Sequence, residues 1–82
     1  MEIIVIHEKD KSDKLKSVIG VASSREKALE MMDEYYGKWQ HTMTDFKDIR
    51  EDNIDFSCNI EVDGVWGGFY EIWGEYFSID SV

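Results

Sequence analysis

Residues 54–62 read IDFSCNIEV. Ile54, Phe56, Cys58, Ile60 and Val62 alternate with Asp55, Ser57, Asn59 and Glu61. A period of two sustained along such a segment predicts a strand with its apolar face on a core and its polar face in water. Asp63-Gly64 follows, a dipeptide favoured in type I′ hairpin turns. Residues 64–77, GVWGGFYEIWGEYF, then hold six aromatic residues and four glycines. They predict a returning strand over 65–73, a second turn at Gly74-Glu75 and a last strand over 76–82.

The phase of the returning strand has two solutions. A two-residue turn sets Val62 opposite Val65, Cys58 opposite Phe69 and Phe56 opposite Glu71, which aims a carboxylate at the core and is unfavourable without a partner. One extra residue at Gly67-Gly68, a β-bulge, reverses the phase. Tyr70 and Ile72 then turn inward, and Trp66, Phe69 and Trp73 form an exposed aromatic stripe. In either phase at least one tryptophan lies on the face away from the apolar row. Tryptophan and tyrosine are the residues most enriched in binding hot spots. The competing reading is that a second helix, or residues 38–53, covers this face.

Upstream, EIIVIHE (residues 2–8) is a continuous apolar, β-branched run and predicts an interior strand covered on both faces. A charged loop, KDKSDKLK, leads to SVIGVA (residues 17–22), and the two strands form an antiparallel hairpin. Gly20 marks a bulge or the close approach of a packed side chain. Ser23 is expected to open a helix with Glu26 in a capping box. Ala28, Met32, Tyr35 and Trp39 fall on one helical face, widened by Leu29 and Tyr36. Gly37 is expected to stop the helix in the left-handed conformation. For residues 38–53 two readings stand: a short helix capped by Thr44, with Phe46 and Ile49 facing inward, or a long loop. The order β-β-α-β-β-β predicts one α+β domain over residues 1–82. Its antiparallel sheet has about five strands, with one main helix packed on a face.

The chain carries 18 acidic against 9 basic residues, a net charge of −9. Residues 1–37 hold eight acids and six bases; residues 38–82 hold ten acids and three bases. Such a surface repels phosphate backbones, so direct nucleic-acid binding is not expected, whereas a basic protein would be steered toward it. The plainer reading is that the charge keeps a small protein soluble. No apolar run reaches the roughly 18 residues of a membrane span. The start, MEIIVIHEKD, lacks the basic region and small-residue cleavage site of a signal peptide. A single cysteine excludes an internal disulfide framework, and a reduced, cytoplasmic setting fits best.

Catalytic patterns are absent. Neither His7 nor His41 has a second histidine at i+4, and no HExxH or Cys-x-x-Cys occurs, so no metal is expected. Cys58 sits on the apolar phase of its strand, where a thiol behaves as a small hydrophobe. The glycines of GVWGG follow a turn and do not open a helix, so they do not cradle a phosphate. No cofactor is expected.

IGVASSREKALEMM (residues 19–32) and YFSIDSV (residues 76–82) carry a resemblance. Gly20, Ser24, Glu26, Lys27, Ala28, Phe77, Ile79 and Asp80 match a family of small uncharacterised bacterial and phage domains. That family has an "IGV-[small]-S-S-[basic]-E-K-A" strand-helix junction and a closing strand of F-x-I-D type. The likeness covers about half the chain, and residues 38–74 depart from it. It implies a β-β-α core and a bacterial or phage source, and no activity, since the family has no catalytic motif to carry over.

These features predict a non-enzymatic protein-interaction module whose partner is a basic protein. The expected partner-binding residues are Trp66, Phe69 and Trp73 with Glu51, Asp52, Asp55, Glu61 and Asp63. A phage or mobile-element inhibitor of a nucleic-acid-binding enzyme fits, as does an immunity protein. The alternatives are a nucleotide-like ligand-binding domain using the aromatic hairpin, and a homodimer whose stripe seals its own interface.

Overall fold

The computed structural model describes residues 1–10, 16–63 and 68–79. Its elements are β1 (Glu2–Asp10), β2 (Lys16–Ala22), α1 (Arg25–Tyr36), β3 (His41–Glu51), β4 (Ile54–Val62) and β5 (Gly68–Ser78). The strands form one antiparallel sheet in the order β2-β1-β5-β4-β3, and α1 packs on one face. The fold is α+β, with the expected element order. Its interior strands are β1, β5 and β4, so the run EIIVIHE is flanked by β2 on one side and β5 on the other. It is not covered on both faces as expected: Ile4 and Ile6 are buried under the helix, whereas Ile3 and Val5 on the other face are half-buried.

Alternation sorts the side chains. Ile4, Ile6, Phe56, Cys58, Ile60 and Ile72 point toward the helix, meet Ala22, Ala28, Met32 and Tyr36, and are buried. Helix α1 begins one residue later than its sequence suggests. Ser24 is the N-cap, in extended backbone, and its hydroxyl accepts from Lys27 N–H at 3.2 Å. Glu26 therefore falls one position short of the reciprocal capping bond and instead lends its charge to the positive end of the helix. The buried stripe is Ala28, Met32 and Tyr36, while Tyr35 and Trp39 are exposed. Gly37 is right-handed (φ −63°, ψ −15°), against the expected left-handed stop. The helix instead ends through i→i−3 bonds, Gly37 N–H to Glu34 O and Trp39 N–H to Tyr36 O, which satisfy its last carbonyls.

Residues 41–51 are neither helix nor loop but the edge strand β3. Thr44 pairs with Asn59 rather than capping a helix, and Phe46 is exposed and stacks on Phe56 at 5.9 Å. Register shifts at Thr44/Lys47 and Asp48/Glu51, with Asp45 and Arg50 at φ 53°, break the two-residue period that would have announced the strand. The β3–β4 turn is Asp52-Asn53, both at positive φ between the paired Glu51 and Ile54, as a type I′ hairpin requires.

Strand β5 begins at Gly68, which pairs with Val62. The expected turn at Asp63-Gly64 runs onto residues outside those described. The expected bulge at Gly67-Gly68 and the position of Trp66 lie outside the described residues. The resulting phase puts Tyr70 opposite Ile60 and Ile72 opposite Cys58 on the helix face, and turns Phe69, Glu71 and Trp73 the other way. Gly74-Glu75 does not form the expected turn. β5 runs through it, with Gly74 opposite Ile6 on one side and Phe56 on the other. A side chain on Gly74 would put its Cβ 2.8 Å from Phe56 Cδ1 and 2.9 Å from Ile4 Cγ2. Close approach, not turning, is why glycine stands there.

Candidate interaction face

The face of the sheet opposite the helix carries Ile3, Val5, His7 and Lys9 from β1. Beside them stand Phe69, Glu71, Trp73, Glu75 and Phe77 from β5. β2 adds Val18 and Val21, 56% and 53% exposed. One cross-strand row runs Val18, His7, Trp73, Ser57, Lys47. His7 stacks flat on Trp73, with centroids 5.1 Å apart and planes within 9°. Its Nε2 lies 3.0 Å from Glu75 Oε1, and Lys9 Nζ is 3.0 Å from Glu71 Oε2. Beside Trp73 the surface sinks into an open depression of about 490 Å³ whose lining includes Asp45, Lys47, Ser57, Asn59 and Glu71.

The expected partner-binding residues divide. Phe69 and Trp73 are half-buried on this face, and Glu61 is exposed opposite Phe69. Asp63 is exposed just beyond β4, where its N–H donates to Gln40 O at 2.9 Å. Glu51 and Asp52 are exposed at the β3–β4 turn, the opposite end of β4, about 26 Å away at 3.3 Å per residue.

Asp55 does not belong to the surface. It is 0% exposed. The register shift between Ile54 and Phe56 takes it out of the alternation that its sequence shows, so it turns inward beside Phe56. Arg25 reaches it from the helix: Nε donates to Asp55 Oδ2 at 2.8 Å and Nη2 to Asp55 O at 2.8 Å. The Nη2 group also donates to Asp48 Oδ1 at 2.7 Å. Arg50 Nε lies 2.6 Å from Asp55 Oδ1, an ion pair at an angle too poor for a hydrogen bond. The rest of Arg50 binds Glu2 at 2.9 and 3.3 Å and covers the Tyr76 ring at 4.8 Å. Hydrogen bonds to Asp55 and Asp48 push the Arg25 guanidinium further above its ordinary range, and the bond from Arg25 holds Asp48 below the usual carboxylate range. This cluster ties α1, β1, β3 and β4 together. One sequence signal pointed to it: Arg25 precedes Ala28, Leu29, Met32 and Tyr36 at spacings that share the sheet-facing side of the helix.

The remaining reactive groups are held quiet. Burial pushes the Cys58 thiol up to about 11. Burial, together with the hydrogen bond its hydroxyl donates to Glu8 Oε1, raises Tyr36 far above the ordinary phenol range. His41, at the start of β3, has Nε2 3.2 Å from Asp33 Oδ1. Among the described residues no cluster of three or more His, Cys, Asp or Glu side chains is placed to hold a metal ion. No helix among them is long and apolar enough to cross a membrane. Comparison with family models, with curated proteins and with solved structures finds no match to this chain.

Proposed function

We propose that this protein is a small acidic, non-enzymatic interaction module that takes a basic partner protein on the sheet face opposite its helix. The observation that carries the reading is that face itself. It sets Trp73, Phe77, Val18 and Val21 beside the carboxylates Glu61, Glu71 and Glu75, in a chain of net charge −9. Apolar anchors ringed by charge are the usual anatomy of a recognition patch. The partner class is a nucleic-acid-binding protein, with carboxylates standing in for phosphates, and the biological setting is a phage or mobile-element inhibitor or an immunity protein. The test is capture from bacterial lysate at low and high salt with wild-type protein and a folded Trp73→Ala variant. Basic proteins should be retained at low salt, released at high salt and lost with the variant. Retention of no basic protein at low salt refutes the reading. The depression beside Trp73 favours a second reading, a site for a nucleotide-like ligand; an unchanged tryptophan emission across a nucleotide panel would remove it.

A further inference from the structure

We infer that the depression beside Trp73 is the seat of an arginine side chain of the partner, an inference that rests on the reading of this face as a docking surface for a basic protein. The slot follows from the register. The indole lies between β1 and β4 on the open face. One of its sides is covered by the stacked His7 ring at 5.1 Å. On the other side its cross-strand neighbour is Ser57, whose hydroxymethyl group is too short to cover an indole. The next side chain in the row is Lys47 on β3, two strand spacings from Trp73, or about 10 Å. Among the described residues one aromatic face is thus left bare above a floor made where Cys58 and Ile72 send their side chains to the core. A flat group fits against it.

Charge selects the flat group. Glu71 stands on the rim with its side chain 51% exposed, bound to Lys9 on the β1 side only among the contacts described. Asp45 stands on the β3 side. It occupies the bulge at φ 53°, and its Oδ2 accepts from Asn59 Nδ2 at 3.0 Å. A non-glycine residue in that backbone region is retained where its surroundings over-determine it, and here the bulge moves a carboxylate to the rim. Lys47 opposes on the far wall, on a long stem whose head can turn to water. A guanidinium is planar, weakly hydrated and able to stack on an indole while donating sideways to carboxylates; an ammonium is compact and strongly hydrated and gains less from the same slot. An anionic nucleotide would bring its phosphates against a chain of net charge −9.

The test uses the full ¹⁵N-labelled chain and the peptide acetyl-Gly-Arg-Gly-amide, with its lysine and citrulline counterparts, an octa-arginine peptide and adenosine monophosphate. Saturable shifts are expected at the Trp73 indole N–H, identified by Trp73→Phe, and at the Ser57 and Asn59 amides. Citrulline, which keeps the shape without the charge, should bind about tenfold more weakly, the usual worth of a charge-assisted hydrogen bond. Ser57→Leu fills the slot and should abolish these shifts with the remaining spectrum intact, and Glu71→Gln should weaken them. Equal binding of arginine and lysine, retention of the shifts in Ser57→Leu, or shifts from the nucleotide in place of arginine would each overturn the assignment. Salt-sensitive binding of octa-arginine away from the slot would overturn it while leaving the docking reading intact. No binding of octa-arginine anywhere overturns both.

Discussion

Replacing Arg25 by methionine should destabilise the fold more than replacing Asp55, the residue it binds, by asparagine. The asymmetry comes from burial. Asp55 is 0% exposed, whereas the side chains of Arg25 and Arg50 are 29% and 49% exposed. Without Arg25, the Asp55 carboxylate loses its bond to Oδ2, and its carbonyl loses the bond from Nη2. Among the described residues only the poorly angled contact from Arg50 remains to it. Removing one partner of a buried pair costs 3–5 kcal/mol, and the surviving contact puts Arg25→Met near the lower end, about 3 kcal/mol. In Asp55→Asn the amide oxygen still accepts from Arg25, and the amide NH2 takes the place of Oδ1, from which Arg50 can turn away to Glu2. The loss is one charge-assisted bond weakened and one buried donor left unpaired, roughly 2 kcal/mol. Urea unfolding followed by far-UV circular dichroism reads this directly. With a slope of about 1 kcal/mol per molar, the midpoints should fall by about 3 M and about 2 M. The double variant should lose less than the sum, because Arg25 has little to satisfy once the charge is gone. An Asp55→Asn loss as large as that of Arg25→Met, or strict additivity, would refute the account of Asp55 as the buried member that the arginines serve.

Gly74→Ala should cost about 3 kcal/mol, because its methyl meets the buried Phe56 ring and Ile4, neither of which has room to move; Phe56→Leu should recover part of the loss. Gly20→Ala should cost under about 1 kcal/mol, since the atom in its way, Met31 Cε at 2.6 Å, ends a flexible chain. Cys58 should resist a thiol reagent at pH 8 at any rate faster than unfolding, and reaction at the rate of a free thiol would contradict its burial. Cys58 and Tyr36 both have folded values raised above their unfolded ones, 9.0 and 10.0, so their contributions are complete below pH 9 and are lost as pH rises. The urea midpoint should therefore fall from about pH 9 upward; Cys58→Ala should flatten the fall between pH 9 and 11, and Tyr36→Phe the part above pH 10. Asp48 has the opposite sign: its lowered folded value keeps its contribution intact above pH 3.8 and loses it as pH falls below, a loss that Asp48→Asn should remove.

What the sequence revealed and what it hid have one physical boundary. Local periodicity was legible. IDFSCNIEV announced β4, and Phe56, Cys58 and Ile60 are buried as their phase requires. The stripe Ala28, Met32, Tyr36 announced α1 and the face it buries. Features set by pairing with distant strands were not legible. β3 hides because two bulges scramble its alternation, and Asp55 reads as a surface residue because a shift against β5 turns it inward. Gly74 offered the same glycine signal as a turn, and only the Phe56 ring across the strand explains it. The two candidate phases of β5 were both visible, but choosing between them needed the Val62–Gly68 register. At the candidate site, Phe69 and Trp73 were found from their aromatic character, whereas the Asp45–Asn59 rim was not, because β3 was not seen.

The acidity that suggested a basic partner is not spread as composition implies. Asp55 is buried, Asp48 is bound by Arg25, Glu2 by Arg50, Glu71 by Lys9, and Glu75 faces His7. Glu51 and Asp52 remain exposed at one end of β4, with Glu61 and Asp63 at the other. Those ends lie about 26 Å apart by strand length, against a screening length of about 8 Å at physiological salt. A compact basic patch on a partner of the proposed kind would therefore engage one end and not both. Local cations decide which. Glu61 stands opposite Phe69 on the open face, on the strand beside the one that carries Trp73, whereas Glu51 and Asp52 stand at the end of β4 where Arg25 and Arg50 bind Asp48 and Asp55 and offset the charge. Charge reversal at Glu61 and Asp63 should slow association with a basic partner and reduce its salt dependence, while reversal at Glu51 and Asp52 leaves both near wild type. Equal slowing by the two pairs would mean that the partner spans the whole length of β4, and docking centred on Trp73 would then be wrong.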